Sequence, residues 1–130
     1  MLERYYTWQQ TTSTNLPPID HSFLSEMTGG DLEFEKELLQ EFLKTVPRLL
    51  EQIHTAIEAG DSAALSSAAH TLKGSARAVG AHRLAEVALA VEIAAKEQRL
   101  DKAADAERTL TAEWQQVQHY IQQLLLRSAA

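Results

Sequence analysis

From Ile19 to Arg127 the apolar residues recur at steps of three and four and nowhere alternate in twos, so the chain reads as helices throughout. Asp20 is placed to cap a short first helix, with Ile19 before it and Leu24 after it as a hydrophobic staple. Gly29-Gly30 ends that helix and Asp31 caps the next. The second helix carries one stripe through Phe34, Leu38, Phe42, Val46, Leu49, Ile53 and Ile57. Pro47 lies inside it and removes the N–H that would bond to Leu43, which predicts a kink or break there. Gly60-Asp61 is a stop followed by a start. A third helix with Leu65, Leu72 and Val79 runs to Gly80, and a fourth spans about His82 to Glu97 with Leu84, Val87, Val91 and Ala94 inward. Asp101 is placed to cap a fifth, striped by Leu110, Trp114, Val117, Ile121 and Leu124. Long helices joined by short turns predict an all-α fold: an antiparallel up-down four-helix bundle with the short first helix across one end. This domain covers residues 19–127. Residues 1–18, polar and Thr-rich before Pro17-Pro18, read as an N-terminal extension or linker. Tyr5, Tyr6 and Trp8 would either dock it on the body or belong to a helix tail.

One residue sits on the wrong face for packing. With Leu72 at zero and about 100° per residue, Leu65, Leu72, Ala76 and Val79 gather on the buried side of the third helix. His70 falls almost opposite, among Ser67, Lys73, Gly74 and Arg77. An outward histidine is ordinarily just solvated, but its neighbours change the picture. Gly74, one turn on, costs a helix about 1 kcal/mol relative to alanine, which makes sense where another molecule must approach the ring. Lys73 and Arg77 add cations. Ser62 to Ala85 contains no acidic residue and three basic ones, Lys73, Arg77 and Arg83, in a chain of net charge −6. Such a window suits an anion or an acidic partner pocket. Neutral imidazole, with an unperturbed pKa of about 6.5, is a competent nucleophile, and its phosphorylated form keeps a good leaving group. Phosphoryl transfer asks mainly for positioning and charge compensation. No Walker or Gly-rich kinase loop is present, so the donor would be another protein domain or a small phosphodonor.

Composition narrows the field further. With 45% hydrophobic residues, one core closes without a metal or disulfide, and the absence of cysteine excludes thiolate chemistry. The acidic balance argues against nucleic acid. No apolar run approaches the ~18 residues of a membrane span, and Met1 to Gln10 lacks a signal-peptide core. The expectation is a soluble cytoplasmic monomer. His21, His54, His82 and His119 show no metal-ligand spacing among themselves, so no metal site is expected. The glutamines of the last helix fit a solvated face.

The run Ala69-His-Thr-Leu-Lys-Gly-Ser-Ala-Arg-Ala-Val-Gly-Ala-His-Arg-Leu84 closely resembles the signature of histidine-containing phosphotransfer (HPt) domains: His70-x-Leu72-Lys73-Gly74, then Gly80 and Leu84. Gly29-Gly30-Asp31, the stripe through Leu39, Phe42 and Leu43, and the Gly60-Asp61 turn extend the likeness over about residues 19–125. The resemblance implies a phosphorelay intermediate rather than an enzyme. His70 would accept a phosphoryl group on Nε2 from a receiver-domain aspartate and pass it to another receiver. The chain would hold no cofactor of its own, the receiver bringing Mg²⁺. It implies Lys73 as the phosphate-side cation and Gly74 as the clearance residue; Ser67 and Arg77 are expected to support them from their place on the same outer face of the helix. Glu92, 22 residues after His70, would hold the Nδ1 proton; the alternative is a solvated helix residue. Leu24 and Met27 are the partner-binding expectations, either of which could be core instead, and Phe42 is favoured as core. Partners would be receiver domains of response regulators or hybrid sensor kinases.

Two other classes compete. A sensor-kinase phosphoacceptor domain would usually follow its histidine with an acidic residue and an ATP-binding domain, whereas Thr71 follows His70 here and little chain remains. A purely structural bundle or adaptor gives no reason for Gly74 beside an exposed histidine and lysine.

Overall fold

The computed structural model describes residues 16–129, and the expectations for Tyr5, Tyr6 and Trp8 lie outside them. Five helices follow one another: α1 (His21–Met27), α2 (Leu32–Ala59), α3 (Ser62–Ala78), α4 (His82–Lys96) and α5 (Leu100–Ala129), with no strand among the described residues. The packed pairs are α2–α3, α3–α4, α4–α5 and α2–α5, a closed ring of neighbours joined by turns of two or three residues. That is the up-down four-helix bundle the apolar stripes predict.

The helix starts rest on aspartates. Asp20 Oδ1 accepts from the Phe23 N–H at 3.1 Å, Asp31 Oδ1 from Glu33 and Phe34, and Asp61 Oδ1 from Ala64 at 3.0 Å. Ile19 and Leu24 are both fully buried, forming the staple across the first cap. Gly80 is required twice over. Its φ is +80°, and an added Cβ would lie 2.8 Å from the Asp20 carbonyl oxygen. The Asp20 N–H in turn donates to the Gly80 carbonyl at 2.8 Å, so this turn ties the N-terminal segment to the α3–α4 connection.

Four expectations need correction. First, α2 does not break at Pro47, the half of the expectation that the helix assignment decides; a proline removes one backbone bond, and buried Val46 and Leu49 anchor the helix on either side. Second, the stripe of α2 begins one residue later than expected. Phe34 is exposed, Leu38 and Ile57 only partly buried, and Glu35, Leu39 and Ala56 take the inward positions. Glu35 tolerates this because His21 Nε2 lies 2.8 Å from its carboxylate. Third, Asp101 does not cap α5 but lies within its first turn. The preceding turn is made by Gln98 at φ 56°, where glycine is the usual occupant, and is closed by Arg99 N–H donating to Ala94 O at 2.8 Å. Fourth, Arg83 is no part of a surface basic window. It is buried, donating to the Leu16 carbonyl at 2.7 Å and to Gln116 at 2.7 Å, and pairing with Glu113 at 2.8 Å. Gln116 therefore serves a buried guanidinium as well as facing solvent.

The core otherwise follows the predicted stripes. Leu65, Leu72, Ala76 and Val79 of the third-helix stripe are buried, as are Leu84, Val91 and Ala94 of α4 and Leu110, Trp114, Val117 and Ile121 of α5. Phe42 is core, its ring edge-on to Trp114 with centroids 5.6 Å apart. Between α3 and α4 the buried side chains are mostly alanines (Ala68, Ala69, Ala76, Ala85, Ala88, Ala95), and this pair has the most extensive close backbone approach in the bundle. Small side chains let two helices come near enough for polar groups on their rims to meet.

Candidate functional site

His70 sits on the outer face of α3, its side chain 67% exposed, where the helical wheel puts it. Across the α3–α4 seam lies Glu92, on the α4 face that also carries buried Ala88, Val91 and Ala95. Its carboxylate is almost wholly buried, and each of its oxygens is taken. Oε2 lies 3.0 Å from His70 Nδ1, and Oε1 accepts from Lys73 Nζ at 2.6 Å. A second ammonium, Lys96 Nζ, lies 3.3 Å from Oε2, one turn on along α4. Glu92 is thus no solvated helix residue.

The electrostatics follow. The Lys73 hydrogen bond, helped by Lys96 and His70, outweighs burial and holds the Glu92 carboxyl at about 2, against an ordinary 4.5. At neutral pH Glu92 is an ionised carboxylate that only accepts hydrogen bonds. The hydrogen bond to Oε2 then requires the proton to be on Nδ1, and a neutral ring in that tautomer has its lone pair on Nε2. Among the described residues Nε2 has no protein partner.

The remaining predicted residues fall into three groups. Lys73 is drawn into the seam, its side chain 14% exposed. Gly74 is exposed, and a Cβ built on it meets nothing within 4 Å, so nothing inside the protein requires a glycine there. Arg77 is exposed and forms no ion pair among the described residues, while Ser67 is exposed and its carbonyl accepts from the Thr71 hydroxyl at 3.0 Å, a bond within α3 that does not reach His70. The partner-binding expectations divide. Leu24 is fully buried beneath the first cap and offers nothing to a partner, whereas Met27 is 52% exposed.

Lys96 is the one site residue that the sequence reading passes over. Its signal was present: a Glu–Lys pair at i, i+4 on one helix. The weight of that pair becomes visible only when Glu92 is seen to face His70 from the neighbouring helix. His82 takes no part; its Nε2 lies 3.2 Å from Asp20, and its ring stands edge-on to Phe23 at the Gly80 turn.

The Hpt domain family model matches residues 37–125, which takes in His70, Lys73, Gly74 and Glu92. The chain belongs to the Hpt domain family. Among solved structures it is similar to histidine-containing phosphotransfer protein B (HptB) of Pseudomonas aeruginosa PAO1. The identity is 26% and the TM-score 0.81, over 87% of this chain and 98% of that one. It also shares its fold with the HPT domain of the Hpt sensor hybrid histidine kinase from Shewanella, at 22% identity and a TM-score of 0.75, over 87% and 97% of the two chains. No curated protein matches the chain. No helix among the described residues is long and apolar enough to cross a membrane.

Proposed function

We propose that this Hpt domain is a phosphorelay intermediate in which His70 Nε2 receives a phosphoryl group from a receiver-domain aspartyl phosphate and returns it to the aspartate of another receiver. The observation that carries the reading is the single-sided engagement of His70. Buried Glu92 holds Nδ1, and Nε2 is left to solvent beside the open surface at Gly74.

The Nε2 lone pair attacks phosphorus in line as the bond from phosphorus to the aspartyl oxygen breaks. The receiver carboxylate leaves with that electron pair, and the new N–P bond leaves the ring cationic with its proton still on Nδ1. Glu92 accepts that N–H before and after transfer, so the ring neither turns nor changes tautomer. Lys73 has three N–H donors and gives one to Glu92, leaving others for phosphoryl oxygens. Exposed Arg77 adds positive charge one turn further along α3. Gly74 keeps the space beside the ring clear for the receiver's active-site loops. In this reading the receiver supplies Mg²⁺ and the remaining catalytic groups, and this chain carries the phosphoryl group without hydrolysing a nucleotide.

The test is transfer from a labelled phospho-receiver in Mg²⁺, with wild type beside His70→Gln. The expected result is acid-labile, base-stable label on wild type and none on the variant. A folded wild type that binds receivers but never takes label would replace this reading with an adaptor.

A further inference from the structure

Lys96 has the features of an ordinary surface lysine: it is 65% exposed and pairs at i, i+4 with a glutamate of its own helix. Pairs of that kind contribute little when both partners are solvated. Here the acceptor is not solvated. Glu92 is 4% exposed at the side chain, and the oxygen that Lys96 faces, Oε2, is the one holding His70 Nδ1. Oε1 is already committed to Lys73 at 2.6 Å. Any change at Lys96 therefore acts on the atom that orients the imidazole.

The charge balance gives the reason for two lysines. A buried carboxylate next to a neutral imidazole needs one cation to remain ionised at low cost. When a phosphoryl dianion arrives on the same ring, that carboxylate becomes a like charge beside the product. With Lys73 alone the Glu92 pair sums to zero; with Lys96 the cluster is +1 before transfer.

We propose that Lys96 is a positioning residue for His70, keeping Glu92 Oε2 aimed at Nδ1 and offsetting its charge as the phosphoryl group forms on Nε2. The inference rests on the relay reading and deepens it. Because Lys96 lies on α4, outside the His-x-Leu-Lys-Gly run, it adds to the site a cation from the other side of the α3–α4 seam.

The experiment uses the full chain with Lys96→Gln and Lys96→Arg, both checked for wild-type thermal unfolding. Single-turnover transfer from a phospho-receiver is measured over a range of receiver concentrations, and ¹⁵N NMR of the imidazole reports the His70 tautomer. The expected result for Lys96→Gln is a maximal rate down about fivefold, the scale of one partly exposed ion pair, with unchanged half-saturation. A smaller fraction of Nδ1-protonated ring should accompany it, and Lys96→Arg should restore both. A rate and tautomer indistinguishable from wild type would overturn the proposal and leave the relay intact. A change in half-saturation alone would overturn it too, making Lys96 a docking contact. Should wild type itself take no label, the relay reading fails, and the tautomer measurement still decides whether Lys96 positions His70.

Discussion

Two histidines of this bundle lie on helix surfaces with nearly equal exposure, 67% for the His70 side chain and 58% for His54, and each meets a glutamate from a neighbouring helix. They differ in what happens to the second ring nitrogen. His54 gives Nδ1 to Glu107 at 2.9 Å and Nε2 to Glu58 at 2.9 Å, so both nitrogens are capped by carboxylates. The Glu107 hydrogen bond and the charges of Glu107 and Glu58 raise its pKa, favouring an imidazolium with no lone pair to offer. His70 meets one carboxylate, and two lysines offset its charge. Exposure alone does not distinguish the two histidines. One engaged nitrogen, one open nitrogen and a compensated carboxylate do, and the role proposed for His70 rests on them.

The sharpest way to break this contrast is to give His70 what His54 has. Glu58 lies four residues after His54, and Gly74 lies four after His70. Gly74→Glu would set a carboxylate toward Nε2 in the same helical relation and would also repel the incoming phosphoryl group. Transfer is expected to fall by about a hundredfold or more, the scale of losing a correctly placed reacting atom. Gly74→Ala supplies the control. Its Cβ meets nothing within 4 Å, so the folded protein should gain up to about 1 kcal/mol from helix propensity. Denaturant titration checks the gain, and phosphotransfer assays on both variants check the block. If Gly74→Glu transferred at the wild-type rate, the open face beside Nε2 would have no bearing on the reaction.

The outward placement of His70 and Gly74 was legible because it depends only on helical phase, and the aspartate caps at positions 20, 31 and 61 because capping is local chemistry. Much of what is not legible depends on distant partners. Arg83 is on the first turn of α4, where a charged residue normally faces water; its burial is made possible by the Leu16 carbonyl and Glu113, far off in sequence. The inward turn of Glu35 depends likewise on His21. Leu24 is open to either a surface or a core place from the sequence, since a seven-residue helix has too few turns to fix a face. The start of α5 differs from the expected Asp101 cap because Gln98 adopts a left-handed conformation with no glycine to announce it. At the site the same division holds: the phase of α3 gave His70, whereas the role of Lys96 needed the packing of α4 on α3.

A second, smaller break removes the charge on the His70 side of the contrast. Glu92→Gln keeps a hydrogen-bonding side chain in the seam but leaves Lys73 and Lys96 without their carboxylate. In the folded protein the Glu92 carboxyl lies at about 2, below its ordinary 4.5. A depressed carboxyl contributes stability that is present above 4.5 and lost as pH falls toward about 2. Wild type should therefore exceed Glu92→Gln by ~1–3 kcal/mol near neutrality, with the two converging through that acid window. Urea titrations at several pH values between 2 and 7 measure this directly. A gap independent of pH would mean that shape, and not ionisation, sets the role of Glu92.

The smallest effect belongs to His54, because its surroundings are solvated. A histidine whose folded pKa is raised contributes stability that is complete below its unfolded value of about 6.5. That contribution is lost as pH rises through the folded value. His54→Gln should therefore lower the melting temperature slightly in mildly acidic buffer and leave it unchanged in alkaline buffer, with phosphotransfer unaffected throughout. The direction of the pH dependence is opposite to that for Glu92, because one pair is held by protonating the imidazole and the other by ionising the carboxylate. If NMR titration placed the His54 transition at or below that of an unstructured histidine, the two carboxylates would not be holding a proton there. The distinction between a capped histidine and a reactive one would then have to rest on Nε2 access alone.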